Sequence, residues 1–297
     1  MTVALPVGTR TSVRVYKDIN PKGKRHRNIY DKVFVHRVGY TTGILDIHEL
    51  NFDNTGQLYF VNSRFSCVAT LHPVHAFVPV WKPHFITTLV SEDRCHLNGM
   101  AFVDGELRYV SAFIASDSGW RGKENDKGIV MDTRANAILA EGFIKPHSPR
   151  YHQGAVWILD SGRGQLVRID EASGNRDNVV FIPGFLKGLS FFGRYAALTS
   201  SRPRDESFIG MELDGTLKAR GQEPWCAVFF VDIVKGAIVH WIRLNGRIRE
   251  MLDVKFLTDA RCPWVGVLTS IGASGGKQQT APAQPTAAPA LRPAAAE

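Results

Sequence analysis

An all-β repeat fold is what this sequence predicts, and three observations carry it. Short apolar segments alternate with polar residues at period two along most of the chain, the pattern of half-buried strands. Turn chemistry separates them, as at Asp53-Asn54-Thr55-Gly56, Asp104-Gly105 and Ser161-Gly162-Arg163-Gly164. One grammar then recurs: a polar residue, an apolar strand, a turn and a second strand. It appears at His48 to Val61, Cys95 to Val110, His147 to Leu159 and Lys187 to Leu198, and more weakly at Glu250 to Leu268. A unit of about 40–60 residues repeating in this way is the signature of a β-propeller.

Taken in order, Thr11 to Tyr16 and Val33 to Val38 alternate as two strands. Two strands alone are marginal, so they are expected to share a blade with the C-terminal end, as ring closure requires. The first repeat continues with strands at Cys67 to Leu71 and Phe77 to Trp81. The second adds Ile129 to Met131 and Ala137 to Glu141, with a polar loop from Ala115 to Lys127 between. Long loops in compact domains are often functional, and Trp120-Arg121 makes this one either a lid or an ordinary surface excursion. The third repeat runs through Ala155 to Gly162 and Gln165 to Asp170. The fourth carries an insertion from Arg202 to Trp225, then resumes at Cys226 to Asp232 and Ala237 to Leu244. The fifth has two strands only, Met251 to Leu257 and Trp264 to Ser270. Beyond Ile271 the sequence collapses into Gly, Gln, Thr, Pro and Ala, so residues 1–271 read as the propeller and 272–297 as a disordered tail.

The 297 residues are 44% hydrophobic, ample for a large core, and no run approaches the roughly 20 apolar residues that span a bilayer. Met1 to Gly8 lacks the features of a secretory signal. A soluble, cytoplasmic protein without membrane contact is expected. Cys67, Cys95, Cys226 and Cys262 are far apart and form no Cys-x-x-Cys pair, which argues for buried free thiols over zinc ribbons or disulfides. The net charge of +8 is partly concentrated between Lys17 and Lys32. No DNA- or RNA-binding signature accompanies it, so a solvated basic loop is favoured over specific nucleic-acid recognition.

The first strand of each propeller blade is innermost, and the residue opening it faces the channel mouth. Here those residues are His48, Asn98, His147, Lys187 and Glu250, with Asp46 and His96 two positions upstream on the same face. Imidazoles with an amide and carboxylates suit zinc, iron or manganese better than calcium, with His48, Asn98 and His147 as the candidate ligands. The same set suits acid–base chemistry, with His96, His147 and Arg150 as catalytic candidates. Asp46, Lys187, Glu250, Trp120 and Arg121 are candidate ligand contacts. Against this stands a plainer account: channel mouths are wet, and a histidine before a strand is often a simple cap. Neither a Gly-x-Ser-x-Gly elbow, a phosphate loop, a Gly-x-Gly-x-x-Gly helix start nor a His-Glu-x-x-His motif is present.

Four motifs carry a family resemblance: Tyr40-Thr41-Thr42-Gly43 with Asp46-Ile47-His48, Glu92 to Gly99, Pro146 to Arg150, and Leu159 to Gly164. Together they resemble a bacterial propeller family known only as a conserved hypothetical protein with a domain of unknown function. The resemblance implies an all-β, six-bladed propeller, with one incomplete blade closed by N- and C-terminal strands, and no established activity. A looser likeness is to the regucalcin/gluconolactonase and strictosidine-synthase propellers. Asn98-Gly99-Met100-Ala101-Phe102 resembles the segment where those lactonases place a metal-binding asparagine. Where their acidic ligands are expected this chain has His48 and His147, which argues against calcium and lactone hydrolysis and leaves a metal site open. The expectation is a small-molecule or divalent-metal site at the channel mouth, possible chemistry there being metal-assisted hydrolysis. The competing expectation is a non-catalytic scaffold that meets a protein partner through the 202–225 insertion or the basic loop.

Overall fold

A computed structural model describes residues 4–123, 127–202 and 211–266. These residues build five four-stranded blades around a channel, four of them wholly antiparallel. The closing blade holds β1 (Ala4–Gly8), β2 (Ser12–Asp18) and β3 (Lys32–Thr41). The second is β4 (Ile47–Phe52), β5 (Leu58–Asn62), β6 (Cys67–Thr70) and β7 (Val78–Trp81). The third is β8 (Leu97–Val103), β9 (Glu106–Ala112), β10 (Gly128–Asp132) and β11 (Ala137–Phe143). The fourth is β12 (Pro146–His152), β13 (Ala155–Asp160), β14 (Gln165–Ile169) and β15 (Arg176–Phe181). The fifth is β16 (Phe185–Phe192), β17 (Tyr195–Ser201), β18 (Ala227–Asp232) and β19 (Ala237–Arg243). Between β17 and β18 lies α1 (Glu212–Ala219), and β20 (Pro263–Gly266) pairs in parallel with β3 to complete the closing blade.

The six blades expected are therefore five. Only four of the five sequence repeats form blades of their own. Among the described residues the last, from Glu250, contributes only β20, which joins the three N-terminal strands; residues 267–270 of that repeat lie outside the described residues. Met251 to Leu257 is not a strand: Met251 N–H donates to Ser201 Oγ (3.0 Å) and Phe256 N–H to Ser190 Oγ (3.2 Å), so side chains of the fifth blade bind this segment in place of a ladder. The closing blade is not short of a strand either, because β1 supplies its fourth. The closure by strands from both ends is as the sequence suggests. The 272–297 tail lies outside the described residues, as do residues 203–210 of the insertion.

The core sits between blades. Val61 and Val68 of the second blade pack with Leu97, Met100 and Ile129 of the third. Tyr109 and Val130 of the third meet Val156, Ile158 and Val167 of the fourth, while Trp157 and Leu166 meet Leu189, Leu198 and Phe229 of the fifth. This explains why β13 is buried at all six positions: a middle strand has a neighbouring blade on each face. Cys67, Cys95 and Cys226 are buried free thiols, and burial pushes the first two up to about 12. Cys262 is partly buried.

The insertion folds inward through α1, whose Leu213 and Leu217 pack on Ile144, Phe185 and Met211. Arg163 ties the helix to the fourth blade, donating to Glu212 Oε2 and to Asp160 Oδ2, both at 2.8 Å.

Candidate functional site at the channel mouth

Three blades enter the channel in the same way. The residue before each inner strand is left-handed without being glycine: Asp46, His96 and Lys145, each with φ = 50°. That conformation is costly for an L-residue, and here it turns the chain sharply into β4, β8 and β12. Two residues after each stands His48, Asn98 or His147. The fifth blade departs from this, with Gly184 at φ = 153° before its inner strand. Its ladder pairs Phe185 with Ser201 as Pro146 pairs with Asp160. Leu186, and not Lys187, thus occupies the position of His147.

The histidines are fixed by tethers on one ring nitrogen. His48 Nδ1 lies 2.9 Å from the Asp46 carbonyl and 2.8 Å from Ser63 Oγ. His147 Nδ1 lies 2.9 Å from the Lys145 carbonyl and 3.0 Å from Ser161 Oγ. A carbonyl can only accept, so each Nδ1 carries the proton and, in the neutral ring, each Nε2 carries the lone pair. His96 uses the same nitrogen, 2.9 Å from the Asp93 carboxylate. The rings form a chain across the mouth. His48 meets His96 edge-on at 4.7 Å, His96 packs on Phe113 at 4.3 Å, and Phe113 meets His147 at 5.5 Å. His147 in turn lies 5.6 Å from Phe185, under Lys187.

Charge and dehydration keep two of these rings neutral. His147 is 6% exposed, and its pKa falls well below the usual 6.5, first through burial and then through Lys187, His48 and His96. The His48 ring opens on the channel, so its surface is exposed while protein surrounds it; dehydration, then His96, push its pKa down to about 3. Solvent in the channel screens part of that effect.

Asp93 is the hub that sequence reasoning missed. It is 7% exposed and left-handed, and besides His96 it accepts the Trp120 indole N–H at 2.7 Å. Trp120 packs on His96 at 4.7 Å, and Arg121 stacks 4.7 Å over Trp120 with a nitrogen 3.6 Å from Asp93. Trp120 and Arg121 thus join the mouth through Asp93. Lys187 and Glu250 pair with each other on the far side. Asp46 contributes its carbonyl, while its carboxylate pairs with Arg64 at 3.7 Å.

Two expected residues lie differently. Asn98 is 3% exposed and bridges blades: its Nδ2 donates to the Pro146 carbonyl at 2.8 Å and its Oδ1 accepts from Ser111 Oγ at 2.7 Å. Arg150 sits one layer deeper. Its Nε donates to the Leu189 carbonyl at 2.8 Å, and Nη1 pairs with Glu49 and donates to the Pro149 carbonyl at 2.8 Å. Glu49 is 5% exposed and accepts the Met100 N–H at 3.0 Å; burial raises its pKa and Arg150 opposes the rise. Asp253, 3.9 Å from Arg150, and Lys255, 4.0 Å from Glu49, complete this lower layer. Among the described residues no group of three or more His, Cys, Asp or Glu is arranged to hold a metal ion.

Fold and site together define a five-bladed β-propeller with a histidine-lined, laterally braced channel mouth. The chain belongs to a family described as a domain of unknown function (DUF4915), whose model matches residues 2–265. The crystal structure of a nidogen/laminin complex is similar at 13% identity, covering 87% of this chain and 83% of that one with a TM-score of 0.51. A gluconolactonase-family structure is similar at 13% identity over 66% of this chain and 71% of that one, TM-score 0.43. The designed Ika8 protein is similar at 12% identity over 85% and 62%, TM-score 0.40. Such likeness concerns fold alone. No curated protein sequence matches. No helix among the described residues is long and apolar enough to cross a membrane.

Proposed function

We propose that the channel mouth binds a small molecule and hydrolyses it, with His48 and His147 as neutral hydrogen-bond acceptors that orient the attacking water. One observation carries this reading: both Nδ1 atoms are tied to backbone carbonyls, so both neutral rings keep an Nε2 lone pair. A histidine in that state accepts a hydrogen bond from an attacking water through Nε2 and orients it, while its lowered pKa keeps the ring itself neutral. Asp93 orients His96 beside them, and the Trp120–Arg121 pair covers that flank.

The same tethering favours a second reading. A histidine that binds a metal usually donates its other ring N–H to a carbonyl or carboxylate; His48 and His96, whose rings meet at 4.7 Å, both do so, whereas Phe113 stands between His96 and His147, so the three rings do not converge on one ion. Zinc, iron or manganese suits imidazole better than calcium does. Water or substrate would have to fill the remaining positions, since Asn98 already spends its oxygen on Ser111. A bound metal would supply Lewis acidity there.

The test is metal analysis of chelator-free protein, with an ester, lactone and phosphoester hydrolysis screen, for wild type and for His48→Ala with His147→Ala. Activity that the double variant loses, while its thermal transition stays native-like, supports the reading. Equal activity in both proteins, or no turnover and no metal in either, sinks it.

A further inference from the structure

A second site lies away from the channel, on the flank of the fifth blade. There the end of β15 and the turn after α1 meet β18 and β19 around a cleft of about 580 Å³. That volume is typical of small-molecule sites, which run from about 300 to 1,000 Å³. Its walls combine aromatic faces with cations. Arg243 lies 4.5 Å over the Trp225 ring and Arg220 lies 4.3 Å over Phe181. Trp241, 51% exposed, stands 6.1 Å from Trp225 and tilted by 59°.

Arg220 and Arg243 differ from the arginines that brace the blades through ion pairs. Arg64, Arg94, Arg108, Arg134, Arg150 and Arg163 each meet a carboxylate. Arg220 and Arg243 make ring contacts, and no carboxylate pairs with either among the described residues. A guanidinium held over a ring face keeps N–H donors for an anion. The rings beneath are themselves held. Trp225 N–H donates to the Pro183 carbonyl at 2.9 Å, its carbonyl accepts from Ser200 Oγ at 2.6 Å, and its ring stacks on Phe229. Glu223 is the one carboxylate on the lining, so the cleft carries a positive excess.

We propose that this cleft binds a flat aromatic ring bearing a phosphate, a ligand of the nucleoside monophosphate class. The ring stacks on the half-exposed Trp241, and Arg220 and Arg243 hold the phosphate. Stacking on an aromatic side chain tolerates any base, so phosphate and ring together set affinity. The site shares no residue with the channel mouth and is independent of the function proposed for it.

Calorimetric titration with AMP, adenosine, inorganic phosphate and glucuronate tests it. AMP is expected to bind at least about tenfold more tightly than adenosine or phosphate, and to weaken as salt rises. Arg220→Gln with Arg243→Gln should lower AMP affinity about tenfold and leave adenosine unchanged, whereas Trp241→Ala should weaken both. The His48→Ala, His147→Ala protein should bind AMP as wild type does. The proposal is overturned if AMP gives no saturable heat at millimolar concentration. It is equally overturned if glucuronate binds as well as AMP, or if variants with a native thermal transition keep full AMP affinity.

Discussion

Replacing His147 with asparagine, the residue the third blade uses at the equivalent position, should flatten the acid limb of the stability curve. The ring is 6% exposed, and its Nδ1–H is committed to the Lys145 carbonyl. Lys187, His48 and His96 add repulsion to any charge placed on it. Protonation is therefore opposed in the folded chain and free in the unfolded one, where histidine titrates near 6.5. Below that pH the unfolded state binds more protons, so stability falls as pH falls; above it the group contributes no slope. One such histidine steepens the decline by at most about 1.4 kcal/mol per pH unit. Asparagine does not titrate. His48, whose shift has the same sign, remains in both proteins and cancels in the comparison. Urea unfolding between pH 7.5 and 5 should show wild type losing about 1 kcal/mol more than His147→Asn from pH 6 to pH 5. Parallel curves, or a wild type that gains stability on acidification, would refute the assignment of His147 as a ring held neutral.

Three further outcomes follow from the packing. Gly99→Ala would bring a Cβ to 2.3 Å from Pro149 Cδ and 2.6 Å from Ser111 Oγ; overpacking of this kind should cost about 1–3 kcal/mol in urea unfolding. Glu49→Ala removes the carboxylate facing Arg150 and the acceptor of the Met100 N–H, and a loss of about 3–5 kcal/mol is expected, seen as a lower denaturation midpoint at unchanged m-value. Trp120→Phe keeps a ring on His96 but forfeits the indole donor to Asp93. It should cost about 1–2 kcal/mol and speed hydrogen exchange in the Ser118–Lys123 loop, with the blades unaffected.

Most blade strands were legible because each has one face, or both, against a neighbouring blade, and period-two apolar patterning records that burial. β1 was not, since Pro6 and the terminal Gly8 mask so short a strand. β15 was not, because its first three residues are exposed and polar. α1 was hidden by Gly215 and Thr216 within one turn of each other. Met251 to Leu257 looked like a strand on composition, but its hydrogen bonds go to Ser190 and Ser201 side chains. The count of six blades came from the family resemblance and not from the residues, which contain four full repeats.

At the mouth, the recurring polar position located His48, Asn98 and His147. It could not reveal Glu49, because strict alternation turns consecutive residues to opposite faces. The ladder slips between Ile47 and Leu50, and a bulge there lets neighbouring residues serve successive layers of the channel. A matching slip between His147 and Arg150 carries the arginine down to meet Glu49. Asp93 escaped notice because it precedes its strand and acts through a left-handed turn that composition does not encode.

The parallel pairing of β20 with β3, reinforced where Asp31 accepts the backbone N–H groups of Arg261 (2.7 Å) and Cys262 (2.8 Å), imposes an order of assembly. During synthesis the four later blades can each zip up from contiguous chain as it emerges. The first three strands must wait with one border unmated until almost the last described residue has been made. For that interval the nascent molecule carries an open hydrogen-bonding margin of the kind that recruits stray strands. Slow clasping, more than weak packing, is where this propeller is vulnerable to misassembly.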